Sequence, residues 1–505
     1  MKPFLSITNP NLIGSLKTLF LFCFLLFHSI LLTQQYLSAD PFYLLSSERD
    51  QLLGRINPYS TIVRPIFIKS KKSNWSIIFH NEIYRNNGAP NQENMDLRYF
   101  GKGIGYYNSV NVAHFGKYVA FSFEPYILYN QNYSAISAPR QAPYTFLNDY
   151  QINDHSPYRL QGIKEFQLYL HYKGLGLGYG NANMWWGPGM HSSLIMSNNT
   201  TGLPYFSIGT IKELRKGIIG INIKYTLADY MNNNNKTVFF SSLLGLVTIY
   251  SNPIISIGLS RNYLSGGRDY DFKWGGADAT RLLFDGLFLE DTKKDKFLWH
   301  DPWDQTIAGY FSLLFPESKI NIYLELGIDD HRANIEDLKT QPDHTIASII
   351  GMRKYGVFNN QNLLFGFEYI NLIQSRTWKF RSAAPWYTKP DFDYSSYKRR
   401  RWGAHSGTDS DDLYIIFGYL SNKFAFIPAF NYERHGVNYK QPAEIKFEWR
   451  FDTRYYYKNW TFSIYYETEN AEHIGFPDDN IYAGEVTGKR KIQSLIIRTE
   501  YIIEF

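Results

Sequence analysis

The sequence predicts an all-β transmembrane barrel of about eighteen antiparallel strands, with long extracellular loops and short periplasmic turns. Three observations predict it: period-two alternation along most of the chain, an aromatic-rich yet mildly polar composition, and one charge-free apolar run near the start. The 505 residues include 41 Tyr, 37 Phe and 11 Trp, 18 % aromatic in all, with a mean hydropathy of −0.33. Transmembrane barrels combine these properties because lipid-facing apolar residues alternate with lumen-facing polar ones between aromatic girdles.

The alternation is clearest at Glu444–Arg454, EIKFEWRFDTR. Ile445, Phe447, Trp449 and Phe451 fall on one face of a strand, and Glu444, Lys446, Glu448, Arg450, Asp452 and Arg454 on the other. Ile320–Asp329 repeats the pattern. Charges of both signs, rung after rung, fit a polar lumen better than the wet face of a soluble sandwich. From Trp75 onward such segments start near Trp75, Asp96, Tyr118, Ile163, Leu175, Tyr205, Gly217, Phe239, Ile254, Thr306, Ile320, Thr345, Leu363, Asp412, Phe424, Glu444, Thr461 and Ser494. Thr61–Lys69 is a further strand or a periplasmic lead-in.

The connections provide an internal test, since bacterial barrels have short periplasmic turns and long extracellular loops. Every even-to-odd connection is turn-like, and the four longest (131–162, 186–204, 265–305 and 374–411) all fall on the other side. That parity predicts an even strand number with the long loops at the cell surface.

Lys2 and Lys17 lead into the apolar run Leu19–Leu32, followed by Leu37, Ser38 and Ala39. The run is too short to span a bilayer comfortably and reads as a secretory signal peptide cleaved after Ala39. The expected division is 1–39 signal peptide, 40–74 periplasmic N-terminal segment and 75–505 outer-membrane barrel. The single cysteine, Cys23, lies inside the signal, so the mature chain offers no disulfide or metal–thiolate chemistry. Losing the two signal lysines lowers the formal net charge from +6 to +4, too weak a balance to imply nucleic acid. The chain ends SLIIRTEYIIEF, with Leu495, Ile497, Tyr501, Ile503 and Phe505 on one face. A terminal Phe on an amphipathic last strand resembles the signal by which the barrel-assembly machinery recognises its clients.

One segment stands out from the barrel background: Gly180–Pro204, GNANMWWGPGMHSSLIMSNNTTGLP. Trp185, Trp186, Gly187, Pro188 and Gly189 form a W-x-G-P-G element, followed by Ser192, Leu194, Ser197, Asn198 and Asn199. This resembles the signature of the capsule-assembly outer-membrane protein family (the Wzi family), and DPFYLLSSERDQLLGRINPYS resembles the start of the family's short forms. The resemblance implies a monomeric barrel of about eighteen strands that attaches capsular or related surface polysaccharide to the cell's outer face, lectin-like, without catalysis and without a cofactor. Better-studied members carry a helical bundle before the barrel. Here only about thirty-five residues separate Asp40 from the first firm strand, which is a departure from that pattern.

Two readings of the motif stand. Gly187-Pro188-Gly189 is a turn that lets the chain fold back over the barrel mouth, with Trp185 and Trp186 in an interfacial girdle. Alternatively Trp185, Trp186, Asn198 and Asn199 meet sugar. A stronger binding candidate is the 374–411 loop, where Lys398, Arg399, Arg400 and Arg401 form a cationic run flanked by Tyr397 and Trp402. Arginine grips carboxylates bidentately and sugar faces stack on aromatic rings. The same run suits lipopolysaccharide phosphates and outer-membrane lipid, or is simply solvated. Trp299-His300-Asp301-Pro302-Trp303-Asp304, with Asp269, Asp271 and Asp278 nearby, is the one local group suggesting metal or acid–base chemistry. It reads better as a self-folded polar loop. The competing function from another class is a porin-like diffusion channel, since a barrel of this size leaves an aqueous lumen unless something fills it.

Overall fold

The computed structural model describes residues 36–68, 74–135, 140–151, 155–269, 280, 283, 303–330, 332, 334–375, 385–440, 442–476 and 488–504. Eighteen strands close into one antiparallel barrel. They are β1 (Trp75–Asn86), β2 (Gly103–Phe115), β3 (Val119–Asn130), β4 (Tyr158–Tyr172), β5 (Leu175–Gly180) and β6, whose two segments (Tyr205–Thr210 and Leu214–Lys216) both pair with β7 (Ile219–Met231). Then follow β8 (Thr237–Ile249), β9 (Ile254–Gly266), β10 (Trp303–Phe315), β11 (Ile320–Asp329), β12 (Ile346–Tyr355) and β13 (Leu363–Asn371). The wall is completed by β14 (Ser410–Leu420), β15 (Phe424–His435), β16 (Glu444–Tyr457), β17 (Trp460–Glu472) and β18 (Lys489–Glu504). Closure is made by β18 on β1, with Ser494 opposite Asn86 and Glu504 opposite Ser76.

Burial is inverted relative to a soluble protein. On β16 Trp449 is 48 % exposed while its neighbour Glu448 is fully buried. On β11 Ile322 and Leu326 face outward and Asn321, Tyr323 and Glu325 inward. The apolar face therefore meets lipid and the charge ladder lines the lumen, as the alternation predicts.

The connections 116–118, 173–174, 217–218, 250–253, 316–319, 356–362, 421–423 and 458–459 share one end of the barrel. The long loops 87–102, 131–157, 181–204, 267–302 and 372–409 share the other, together with the tight 232–236 turn. The parity therefore holds. A tag inserted beside Lys339, in the 330–345 loop, is expected to be antibody-accessible on whole cells, and one at Ser421 only after permeabilisation. The reverse result would invert the barrel's orientation.

The second strand is the main difference from the sequence reading: it begins at Gly103, not Asp96. Asn94 and Asp96 adopt φ of 55° and 50°, which breaks an extended run. Asp96 turns into the barrel, accepting from Lys164 Nζ at 2.7 Å and Arg98 Nε at 3.1 Å. The fourth and last strands also start earlier than expected, at Tyr158 and Lys489. Thr61–Lys69 adds no wall strand. Val63–Arg64 pairs with Trp185–Trp186, and Ile66–Phe67 with Tyr36–Leu37. Phe505 lies outside the described residues.

Residues 36–67 enter the short-turn end of the barrel. A helix α1 (Leu44–Leu52) sits there, with Arg49 donating to Asn362 Oδ1 at 2.8 Å and Asn422 Oδ1 at 3.0 Å in the turns of that end. The first part of the N-terminal segment is thus packed inside the short-turn mouth of the barrel.

Candidate functional site

The lumen is occupied from both ends, and two acidic wall residues anchor what enters from above. Glu368 on β13 accepts the backbone N–H groups of Met190 (2.6 Å), Ser192 (2.7 Å) and His191 (3.2 Å), and the Tyr323 hydroxyl at 2.7 Å. Glu325 on β11 accepts from the Leu194 N–H at 2.9 Å. These amides would otherwise be orphaned in a buried turn, so two carboxylates fix a whole segment. Gly187 has φ 151°, and a Cβ there would lie 2.4 Å from Glu325 Oε2. The turn comes so close to the wall that only glycine fits.

From below, Glu48 of α1 forms a two-pronged pair with Arg353 on β12, Nη2–Oε1 2.6 Å and Nε–Oε2 2.7 Å. The same guanidinium donates to the Pro188 carbonyl at 3.0 Å and lies over the Tyr323 ring at 4.5 Å. Arg64 stacks on Trp185 at 4.6 Å. Trp185 and Trp186 are fully buried, and Trp186 lies 6.3 Å from the Phe240 ring inside the lumen. This corrects the girdle expectation: the element turns into the barrel before the chain reaches the lipid interface. The fold-back expected of Gly187-Pro188-Gly189 is found, directed down into the lumen.

The motif continues into a hydrogen-bonded platform. Asn198 Nδ2 donates to the Asn94 carbonyl at 2.8 Å. Asn199 Nδ2 donates to Asn148 Oδ1 at 3.0 Å and the Arg401 carbonyl at 3.2 Å. Ser197 Oγ donates to the Gly403 carbonyl at 2.7 Å. On this platform sits a small hairpin in which Ser396–Tyr397 pairs with Arg400–Arg401, held also by Thr200 Oγ1 donating to the Tyr397 carbonyl at 2.6 Å.

The hairpin divides the cationic run by position. Arg400 and Arg401 form its base and are buried. Arg400 donates to the carbonyls of Gln92 and Asn148 and lies 4.2 Å over the Tyr99 ring. Arg401 donates to the carbonyls of Tyr394 and Pro143, both at 2.7 Å. Both pair mainly with neutral partners, so burial pushes their guanidinium groups down, Arg401 to about 10. Trp402 is buried too and packs edge-on against Tyr230 at 5.6 Å. Lys398 and Arg399 form the exposed two-residue tip, with φ of 49° and 67°. Arg399 reaches over the Tyr150 ring at 4.4 Å and Lys398 over Tyr397 at 5.5 Å. Of the candidate sugar-contacting residues, then, Lys398 and Arg399 are exposed and Tyr397 is half-buried. Arg400, Arg401, Trp402, Trp185, Trp186, Asn198 and Asn199 lie beneath the surface because each is spent on an internal partner.

The 131–157 loop is fastened beside this platform. Burial alone would raise the Asp149 carboxyl, but Arg140 and then Arg490 override it and hold it below the ordinary carboxylate range. Of the acidic group around the 267–302 loop, residues 271, 278 and 299–302 lie outside the described residues. Asp269 pairs with Lys236 Nζ at 2.7 Å, and Trp303 and Asp304 begin β10. The sequence reading missed a different cluster altogether, in which His191, His405, Glu93 and Asp412 meet. His191 sits within the motif segment, but its partners lie roughly a hundred or more residues away and no local spacing links them.

Fold and interior together define a transmembrane β-barrel of the outer-membrane kind, closed by its own loops. The model of the capsule assembly protein Wzi family matches residues 86–475, and the chain belongs to that family. Among solved structures, the chain is similar to one described as Wzi, an outer-membrane protein involved in group 1 capsule assembly in Escherichia coli and a carbohydrate-binding β-barrel. Identity there is 10 % and the TM-score 0.58, over 92 % of this chain and 97 % of that one. Lesser similarity is found to Acinetobacter baumannii OccAB2 (9 %, TM-score 0.41, 86 % of this chain and 98 % of that one) and to OccD1 (OprD) (9 %, 0.42, 86 % and 96 %). No curated protein sequence matches the chain.

Proposed function

We propose that this barrel binds surface polysaccharide, capsular or related, on its extracellular loops and holds it at the outer face of the cell without catalysis. The observation that carries this reading is the hairpin tip. Lys398 and Arg399 both occupy left-handed backbone, a conformation costing on the order of 1–3 kcal/mol per non-glycine residue unless the surroundings over-determine it. Arg400 and Arg401 below, and the carbonyl and hydroxyl contacts of Thr200 and Ser197, supply that support. The result is two cations presented outward on a rigid base, suited to the carboxylates of an acidic polymer. Tyr397, Tyr150 and the neighbouring loops offer ring faces to sugars. The occupied lumen disfavours the diffusion-channel reading. The proposed role needs no cofactor and a single copy of the chain.

Exposed charge contacts are individually weak, about 0–1 kcal/mol each, but a polyanion engages many. Lys398→Ser/Arg399→Ser is expected to lower polymer retention by cells severalfold at equal barrel abundance, with the loss shrinking as salt rises. Unchanged retention would remove the tip from the site. Loss of purified lipopolysaccharide binding with polymer retention intact would make the tip a lipid anchor.

Export behind a cleaved signal belongs to the same proposal. Cleavage after Ala39 would remove Tyr36 and Leu37, yet both are buried and Tyr36 donates to Glu165 Oε2 at 2.7 Å. The expected mature N-terminus therefore moves to Tyr36 or upstream of it. N-terminal sequencing of outer-membrane protein decides, and Asp40 as the first residue would restore the original cut.

A further inference from the structure

Three loops that close the mouth meet the barrel wall at one buried point. Glu93 comes from the 87–102 loop, His191 from the 181–204 loop, His405 from the 372–409 loop and Asp412 from β14. None of the four side chains is more than 3 % exposed. His405 Nε2 lies 3.2 Å from Glu93 Oε2 and 3.1 Å from Asp412 Oδ2. His191 Nε2 lies 3.6 Å and 3.2 Å from the same two oxygens.

Those contacts fall within ion-pair range. Neither ring nitrogen of His405 and neither carboxylate oxygen of Asp412 is in hydrogen-bonding geometry with any partner. Each imidazole Nε2 lies within 3.6 Å of the same two carboxylate oxygens. A tetrahedral zinc ion with bonds of about 2.0–2.2 Å sets its ligand atoms about 3.4 Å apart. The four cross distances, 3.1–3.6 Å, straddle that value. Asn431 Nδ2 lies 2.9 Å from His191 Nε2, a contact that an ion on that nitrogen would displace. Tyr414 stacks on the same imidazole at 4.0 Å and 5° and holds its plane.

Charge points the same way. Glu93, Asp412, Glu433, Glu448 and Glu467 are all buried, and the fixed cations among them are Lys446 and Arg450. Lys446 Nζ is 2.5 Å from Glu93 Oε1, and Arg450 Nη2 is 2.5 Å from Glu93 Oε2. Asp412 pairs only with the two imidazoles among the described residues. A buried carboxylate without a strong cation is costly, and a divalent ion would supply positive charge to Asp412, while sharing Glu93 Oε2 with Arg450.

We propose that Glu93, His191, His405 and Asp412 bind a divalent transition-metal ion of the zinc class. Two imidazoles with two carboxylates suit such an ion, whereas calcium and magnesium prefer oxygen alone. Four protein ligands leave no open position, so the role is structural. The ion ties three otherwise independent loops to β14 and holds the mouth closed beneath the cationic hairpin. The inference does not rest on polysaccharide binding.

The test uses the full-length barrel in detergent, stripped with chelator and then titrated with Co2+. Binding at the site is expected to give the visible absorption of tetrahedral cobalt at about one equivalent per chain, with zinc displacing it. His405→Gln and His191→Gln should each weaken cobalt affinity by about tenfold or more. His435→Gln, a buried histidine beside Glu433 and Glu444 but outside the four, should leave it unchanged. Heat-modifiable electrophoretic mobility checks that each variant is a folded barrel. No tetrahedral spectrum from the folded wild type would overturn the proposal, whatever the variants do. Loss of the spectrum in His435→Gln as strong as in His405→Gln would overturn this choice of ligands.

Discussion

Planar bilayers carrying the wild-type barrel are expected to show no stable porin-like current steps, and replacement of residues 183–201 by a short Gly/Ser linker is expected to produce them. A barrel of 16–18 strands leaves an aqueous channel when nothing fills it. Here the 181–204 segment crosses the interior and is fixed by Glu325 and Glu368, which together accept four backbone amides. Trp186 fills the space beside Phe240. Removing the segment takes away both the packing and the covering of those carboxylates, and the exposed acidic wall should favour cations over anions in the new channel. Heat-modifiable mobility must first establish that the deleted barrel folds. Large steps from the wild type would return the diffusion-channel reading. A folded deletion variant that stays silent would assign the seal to the other loops.

The second large effect is on stability. Arg353→Met is expected to destabilise the barrel by about 3–5 kcal/mol, the usual result of stranding one partner of a buried ion pair. Arg353 and Glu48 are both buried, and the guanidinium also serves the Pro188 carbonyl. The loss should fall mainly on docking of α1, read as faster proteolysis near Leu53–Arg55 together with a lower urea midpoint in detergent. Glu48→Met/Arg353→Met should recover most of the loss, because the desolvated charge disappears with its partner. If the double variant is as unstable as the single one, the pair is not what holds α1 in the mouth.

The wall was legible because its signal is local. One strand such as Glu444–Arg454 declares both faces within eleven residues, and loop parity then orients the whole barrel. The Asp96 misreading shows the limit: Asp96 and Arg98 alternate correctly, but two left-handed residues turn the chain inward. The interior was illegible for a related reason. Whether Arg400 is a surface cation or a buried clamp depends on carbonyls at Gln92 and Asn148, 308 and 252 residues away. Four consecutive basic residues look alike in sequence, while a two-residue turn sends the first half of the run outward and the second half down. Glu93, His191, His405 and Asp412 were missed on the same grounds, since loop closure rather than spacing brings them together.

Arg353 has a mechanical consequence. One side chain on the wall grips α1 at the short-turn mouth through Glu48, and the motif turn through Pro188. The turn continues through Ser197, Asn199 and Thr200 into the base of the Lys398–Arg399 hairpin. Tension applied at that tip would pass down a column of short polar contacts to the wall and to α1. Shear on a tethered polymer would then be shared between the stiff cylinder and its internal strut, and the lipid-facing strands would not be peeled apart one at a time.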